Sequence, residues 1–365
     1  IISRKERKKR FEECESLFYK ILSKLYKPLN SLHKVNFTQK RWEIILSRWL
    51  KFYIYIIYLN YNDLKKIIDK QKINKTVLRD ASDYNFITND AQALTFASLE
   101  DSWSESLNAK IFEFFFKKNK NYKYIKSKNK FVVSQKNFTA KNTFLKKIII
   151  FFINILKKKN SGVIFSTYLR FLNELKLSLF TSSTIFNGKT HFKYSNVIDF
   201  EKRRNLFVNN ENDQKTLENF LYKILPLSLP KFVVEDFDKI HKLSESASLP
   251  KDPKFILTGI GFVDQVFNFY LSKNMDRGTP IIVLQHGNAY FTHISNNYLA
   301  EQKNPDFILS WGPKENSKHI PIFNIKTLDK SKLYDPEGDL LVISDNYYSR
   351  PLPENYRFIK EKNMI

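Results

Sequence analysis

Gln285, His286 and Gly287 follow the apolar run Ile281 to Leu284 and open a loop that continues through Asn288, Ala289 and Tyr290. An imidazole with an ordinary pKa of about 6.5 can take a proton from an acceptor hydroxyl as general base, or hold a phosphate as imidazolium. Gly287 lets backbone come close to a ligand, and Gln285 can orient the ring or a sugar hydroxyl. His286 is thus the candidate catalytic residue, and Gln285, Gly287, Asn288, Tyr290 and His293 are candidate substrate-binding residues. The plainer alternative is that His286 is a satisfied loop histidine closing the end of a strand.

The elements that must position this loop are legible around it. Phe255, Ile256 and Leu257 form a continuous apolar run, the pattern of a strand covered on both faces. Thr258 to Gly261 reads as a turn, Phe262, Val266, Phe269 and Tyr270 as the inner face of a helix, Gly278 as its end, and Pro280 to Leu284 as the next strand. Phe307 to Leu309 adds a third. A strand, helix, strand unit predicts neighbouring parallel strands, and ligands of open parallel sheets sit beyond the carboxyl ends of the strands, where His286 falls. Gly259 and Gly261 are only part of a dinucleotide fingerprint, because no third glycine follows.

The rest of the chain divides into a helical region, residues 1–75, and a mixed region from residue 76 to about 248. In the first, Phe11, Cys14, Phe18, Leu22, Leu25, Tyr26 and Leu29 recur at helical spacing, and Pro28 and Asn30 are expected to end or kink that helix. Thr38 is placed to cap a second helix carrying Trp42, Ile45, Leu46, Trp49, Leu50 and Tyr53. His33 lies between the two helices and is a candidate for the acceptor side of a site, with a structural hydrogen bond as the alternative. Further on, Asn119 to Asn142 reads as exposed, Gly162 to Thr167 as a strand, Tyr168 to Leu179 as a helix, and Pro226 and Pro230 as helix breakers. Asp345, Asn346, Tyr347 and Arg350 follow a predicted strand and are candidates to face the same cleft.

Composition bounds the function. The 365 residues carry a formal net charge of +24 and are 42% hydrophobic, enough for a sizeable core. The lysines are scattered among Asn, Ile, Phe and Tyr, with no zinc-finger spacing or RNA-binding signature. That disfavours nucleic acid as a partner and favours an anionic sugar nucleotide or lipid surface. The one cysteine, Cys14, excludes an intrachain disulfide and suits a reducing cytoplasm. The most apolar run, Ile148 to Ile155, is far short of the roughly twenty residues that cross a bilayer. No His, Asp or Glu spacing argues for a metal, and no cofactor is called for. The chain starts at Ile1 without an initiator methionine and stops at Met364-Ile365, so we expect a piece of a longer protein.

Several of these residues carry a resemblance. Gln285-His286-Gly287-Asn288-Ala289-Tyr290, Asp306 with Trp311-Gly312, and Leu29-Asn30 with His33 and Trp42 resemble three segments of bacterial transferases from surface-polysaccharide and lipopolysaccharide O-antigen loci. Those segments read Gln-His-Gly-Gly-x-Tyr, Asp-x-x-x-x-Trp-Gly, and Leu-Asn-x-x-His followed nine positions on by Trp. The similarity extends from about Glu12 to Asn346 and includes GVIFSTYL and LPLSLPKFVVEDF. Asn288 stands where the family has its second glycine, which alters the freedom of the loop. The resemblance implies a GT-B-like α/β fold: a Rossmann-type, acceptor-side lobe over residues 76–338, and a truncated donor-binding lobe beginning with Asp339 to Ser344 in residues 339–365. A weaker similarity runs to CDP-glycerol glycerophosphotransferases.

The expected activity is transfer of a sugar or related group from a nucleotide-activated sugar donor to a glycan or lipid-linked acceptor of the cell envelope, in the cytoplasm or peripherally on the inner face of its membrane. The alternatives are a glycerophosphotransferase-like polymerase and a non-catalytic α/β scaffold. If the lysine-rich surface meets anionic lipid, co-sedimentation with anionic vesicles should fall as salt rises through the screening range, where the Debye length is about 10 Å at 0.1 M. Binding unchanged in high salt would reject that electrostatic account.

Overall fold

The computed structural model describes residues 3–71, 75–80, 86–117, 121–125, 150–152, 161–186, 192–207, 214–247, 249–287, 290, 299–312, 314–325 and 338. They form two compact units that interleave along the chain. The first lies within residues 1–137 and 192–241, and the second within 138–191 and 242–348.

The first unit is built on two long helices, α1 (Arg4–His33) and α2 (Gln39–Gln71). Their polar pairs run in opposite directions along the two sequences: Glu13 with Tyr58, Glu15 with Lys51, and Glu43 with Tyr19. The helices are therefore antiparallel. Lys51 and Glu15 meet at 2.9 Å in the core, and the Lys51 ammonium lies 4.6 Å from the centre of the Phe18 ring, which lessens the cost of burying the charge.

Helix α1 passes through Pro28 and stops only at Lys34, so the expected break at Pro28 does not occur. Buried Leu25, Leu29 and His33 hold the last turns against the core, and burial outweighs the one backbone bond that proline removes. Lys34 then adopts the left-handed conformation, φ 52°, that closes helix ends. Thr38 caps α2 as expected, its hydroxyl accepting from the Arg41 amide at 3.1 Å.

The link between the helices is fixed by side chains. Asn30 Oδ1 accepts from the Trp42 indole at 2.7 Å and from the Phe37 amide at 3.2 Å, while its Nδ2 donates to the Phe37 carbonyl. His33 Nε2 donates to the Val233 carbonyl at 2.8 Å, and its ring stacks on Phe237 at 3.9 Å between centroids. Val233 belongs to the proline-punctuated stretch Leu225 to Phe237, which is a series of tight turns. Fully buried Arg203 braces that stretch: it donates two 2.6 Å bonds to Glu235 and one of 2.8 Å to the Leu229 carbonyl. A two-stranded parallel ladder, β1 (Lys75–Arg79) with β2 (Asn121–Ile125), also belongs to this unit and was not foreseen in the lysine-rich sequence around it.

The second unit is an α/β sheet of six parallel strands: β3 (Gly162–Phe165), β4 (Ser183–Phe186), β5 (Ile256–Thr258), β6 (Ile281–Leu284), β7 (Phe307–Ser310) and β8 (His319–Pro321). Their spatial order is β4-β3-β5-β6-β7-β8, so the predicted neighbours β5, β6 and β7 are parallel neighbours. Every residue of β3 and β5 is buried, in keeping with their unbroken apolar runs.

Successive strand residues face opposite sides, and the packing follows that alternation. Phe165 contacts Phe267 of the helix Gln265–Asp276, with ring centroids 4.1 Å apart. Ile164 packs instead with Leu257, Leu284 and Ile325, joined by Leu177 of the helix Phe171–Phe180. One helix therefore covers each face. Asp264 caps the first of these, and Gly278 turns the chain at φ 82° just beyond its end, as expected of a helix-ending glycine.

His33 supplies a pH prediction. Burial, and then the nearby charge of Lys202, lower its pKa from 6.5 to about 4 against the opposing pull of the Val233 carbonyl. The neutral ring is thus the form that folding selects. Its stabilisation is complete above about pH 6.5 and is lost as pH falls toward 4, amounting to about 3 kcal/mol over that window. Thermal unfolding should show a smaller loss of Tm between pH 7 and pH 4.5 in His33→Gln than in the wild type. Equal losses would mean that His33 is not the group responsible.

Candidate functional site

The site is built at the carboxyl ends of the second unit's strands. In register, Phe165 lies beside Thr258, Thr258 beside Val283, and Val283 beside Ile308, so the loops that follow leave the sheet along one edge. From β3 the chain turns outward to β4 and later returns on the other side to β5. The reversal between β3 and β5 is where the loops of an open parallel sheet diverge and leave a crevice for a ligand.

The loop after β3 is strained on one side of that crevice. Ser166 and Tyr168 both have positive φ, 50° and 64°, a conformation costing a residue other than glycine roughly 1–2 kcal/mol. Tyr168, expected at the start of a helix, is held out of it, and the helix begins at Phe171. Buried Thr167 anchors the loop by donating to Glu174 Oε1 at 2.9 Å. Gly259, at the end of β5, donates its amide to the Ser166 carbonyl at 3.2 Å. A Cβ there would stand 2.7 Å from that oxygen and 3.1 Å from the Tyr168 ring, so only glycine allows the two loops to lie this close.

Gln285 and His286 leave β6 beside this pair. Gln285 is buried and serves as a strut. Its Oε1 accepts from the Trp311 amide at 2.7 Å, its Nε2 donates to the Gly287 carbonyl at 2.9 Å, and its own amide donates to the Leu309 carbonyl. At the opposite end of the same strands, Asp306 exchanges backbone and side-chain bonds with Ile281. Asp306 and Trp311 thus fasten both ends of β7 to β6. Among the described residues, a Cβ on Gly287 would meet no atom within 4 Å, so their packing does not demand glycine there.

The imidazole of His286 is boxed in. Its ring stacks against Tyr168, 5.8 Å between centroids and 24° between planes, and meets Tyr290 edge-on at 5.3 Å. Nε2 is shielded from solvent without a hydrogen bond and lies 3.5 Å from the Glu301 carboxylate, on the short helix Ala300–Lys303. The side chain as a whole remains 27% exposed. Burial first, and then the charge of Glu301, raise the phenol pKa values of both Tyr168 and Tyr290 above their ordinary value, so both stay protonated. The arrangement is a reachable imidazole with a carboxylate behind it, able to accept a proton from a hydroxyl and to share the positive charge that results.

Of the residues singled out in the sequence, Gln285, His286, Gly287 and Tyr290 meet in this cluster. Asn288, His293, Asp345, Asn346, Tyr347 and Arg350 lie outside the described residues. His33 belongs to the first unit, where it is 8% exposed with Nε2 bound to a carbonyl. Tyr168 and Glu301 were missed as site residues. Among the described residues, no three His, Cys, Asp or Glu gather in a way that could hold a metal ion. No described helix is long and apolar enough to cross a membrane.

A doubly covered parallel sheet with an imidazole, a carboxylate and two phenols at its carboxyl edge defines an α/β protein with an enzyme-like site. A family model described as LIC12162 family transferase matches residues 2–358, and the chain belongs to that family of transferases. Comparison with curated proteins and with solved structures gives no match.

Gln285→Leu removes both struts of the loop and leaves the Trp311 amide and the Gly287 carbonyl without their partner. A buried polar group left unpaired costs about 1–3 kcal/mol, and denaturant unfolding of the variant should show a loss of that order. An unchanged midpoint would mean that the loop does not depend on Gln285.

Proposed function

We propose that this transferase moves a sugar or related group from a nucleotide-activated donor to a hydroxyl of a cell-envelope glycan, with a GT-B-like fold and His286 as general base. In this reading the chain works at the cytoplasmic side of the membrane, and the six-stranded sheet belongs to the acceptor-side lobe. His286 takes the proton as the acceptor oxygen attacks the donor's anomeric carbon. The bond from that carbon to the phosphate breaks, and the nucleotide leaves with the bonding electrons.

The observation that carries the reading is His286 itself: a partly exposed imidazole at the carboxyl edge of a parallel sheet, beside the reversal in strand order, with a carboxylate 3.5 Å from its shielded nitrogen. Membership of a transferase family supports the reaction class. The resemblance of the Gln285 to Tyr290 segment to O-antigen locus transferases supports the sugar and the envelope acceptor. His33 serves the packing of the first unit, because its Nε2 already donates to a backbone carbonyl.

A thermal-shift screen against CMP-, CDP-, UDP-, GDP- and dTDP-linked sugars should identify the donor class, since a ligand that binds the native state raises its apparent stability. With that donor, His286→Ala is expected to lower kcat by roughly 10²- to 10⁴-fold, the range for a lost general base, without loss of folding. Near wild-type turnover on an identified donor and acceptor would make His286 a strand-end cap.

A further inference from the structure

Glu301 has no evident part in holding the fold. It sits on a four-residue helix, its side chain is only 12% exposed, and among the described residues the basic group beside it is the His286 ring. A carboxylate in that setting needs a proton donor to offset its lost hydration. Two lie against it. One is the Tyr290 phenol, which stays protonated beside that charge; the other is Nε2 of His286, shielded from solvent and 3.5 Å away. The imidazole has little freedom to turn away, with Tyr168 against its face and Tyr290 at its edge.

We propose that Glu301 is the positioning residue of the site: it holds the proton of His286 on Nε2 and so leaves Nδ1 as the nitrogen that receives the acceptor's proton. The proposal deepens the reading of His286 as general base and rests on it for its catalytic meaning. When Nδ1 takes the proton, the ring becomes a cation with Glu301 at its back, and the carboxylate stabilises the charge formed in the step. The second partner of an imidazole decides its tautomer in this way wherever a carboxylate stands behind a catalytic histidine.

The test reads the tautomer directly and needs no substrate. The whole chain, labelled with ¹⁵N-histidine, is examined above pH 7 by long-range proton–nitrogen correlation, with the His286 signals assigned from His286→Gln. The wild type should show the Nε2–H form, Glu301→Leu should shift His286 toward Nδ1–H, and Glu301→Gln, which keeps an acceptor oxygen, should retain the wild-type form. On the identified donor and acceptor, Glu301→Leu should lower kcat by roughly 10²-fold or more with KM little changed, and Glu301→Gln should recover part of the loss.

A wild-type Nδ1–H form, or an Nε2–H form that persists in Glu301→Leu, overturns the proposal. If Glu301→Leu does not fold, Glu301→Ala is read in its place, because a free imidazole already prefers the Nε2–H form and only a change on removing the carboxylate decides. Should the tautomer follow Glu301 while His286→Ala stays active, positioning stands and the general-base reading falls. The two failures are thus distinguishable.

Discussion

The site depends on one constraint, the parallel register of β3, β5 and β6. Parallel strands point their carboxyl ends the same way, so Ser166, Gly259 and Gln285 begin their loops on one edge. The order reversal between β3 and β5 then forces neighbouring loops to run apart. Two consequences can be traced to single residues. Gly259 must lack a side chain because a Cβ there would stand 2.7 Å from the Ser166 carbonyl oxygen of the β3 loop, and Tyr168 accepts a left-handed backbone as its ring lies against His286. Strain of this kind persists only where surrounding structure enforces it, here the buried Thr167 anchor and the Ser166 to Gly259 bond.

The helix N-terminus after β5 illustrates what the same edge does not do. In many dinucleotide-binding folds that terminus receives a phosphate. Here Asp264 already accepts from the Phe267 amide at 2.8 Å, and its carboxylate would repel an anion. The incomplete glycine pattern in the sequence and this acidic cap point the same way. Among the described residues of this edge, the polar groups converge instead at the β6 loop.

How much of this was legible in the sequence follows from where each signal lies. Strands β5, β6 and β7 were readable because burial on both faces writes a continuous apolar run, and His286 was readable because it immediately follows one of them. Tyr168 misled because a helical pattern resumes at Phe171, and nothing local distinguishes a tyrosine held at φ 64° from one in the first turn. Glu301 had no local signal at all. It reaches His286 because the chain returns to the β6 edge through β7, a tertiary fact carried by the pairing of Val283 with Ile308. Pro28 misled for a related reason: propensity was outweighed by buried Leu25, Leu29 and His33. The ladder of β1 with β2 was hidden because its sequence, polar and alternating with aromatics, reads equally well as exposed chain.

His33 and His286 show why residue type alone could not settle the site. Both stack on an aromatic ring. His33 donates Nε2 to a carbonyl and is lowered to a pKa of about 4, so at neutral pH it stays uncharged and its bond is one that the fold itself uses. His286 instead turns its shielded nitrogen toward the Glu301 carboxylate, 3.5 Å away. The two histidines therefore differ in what meets the buried nitrogen, a backbone carbonyl for His33 and a carboxylate for His286, and in both cases that partner is supplied by another element of the fold.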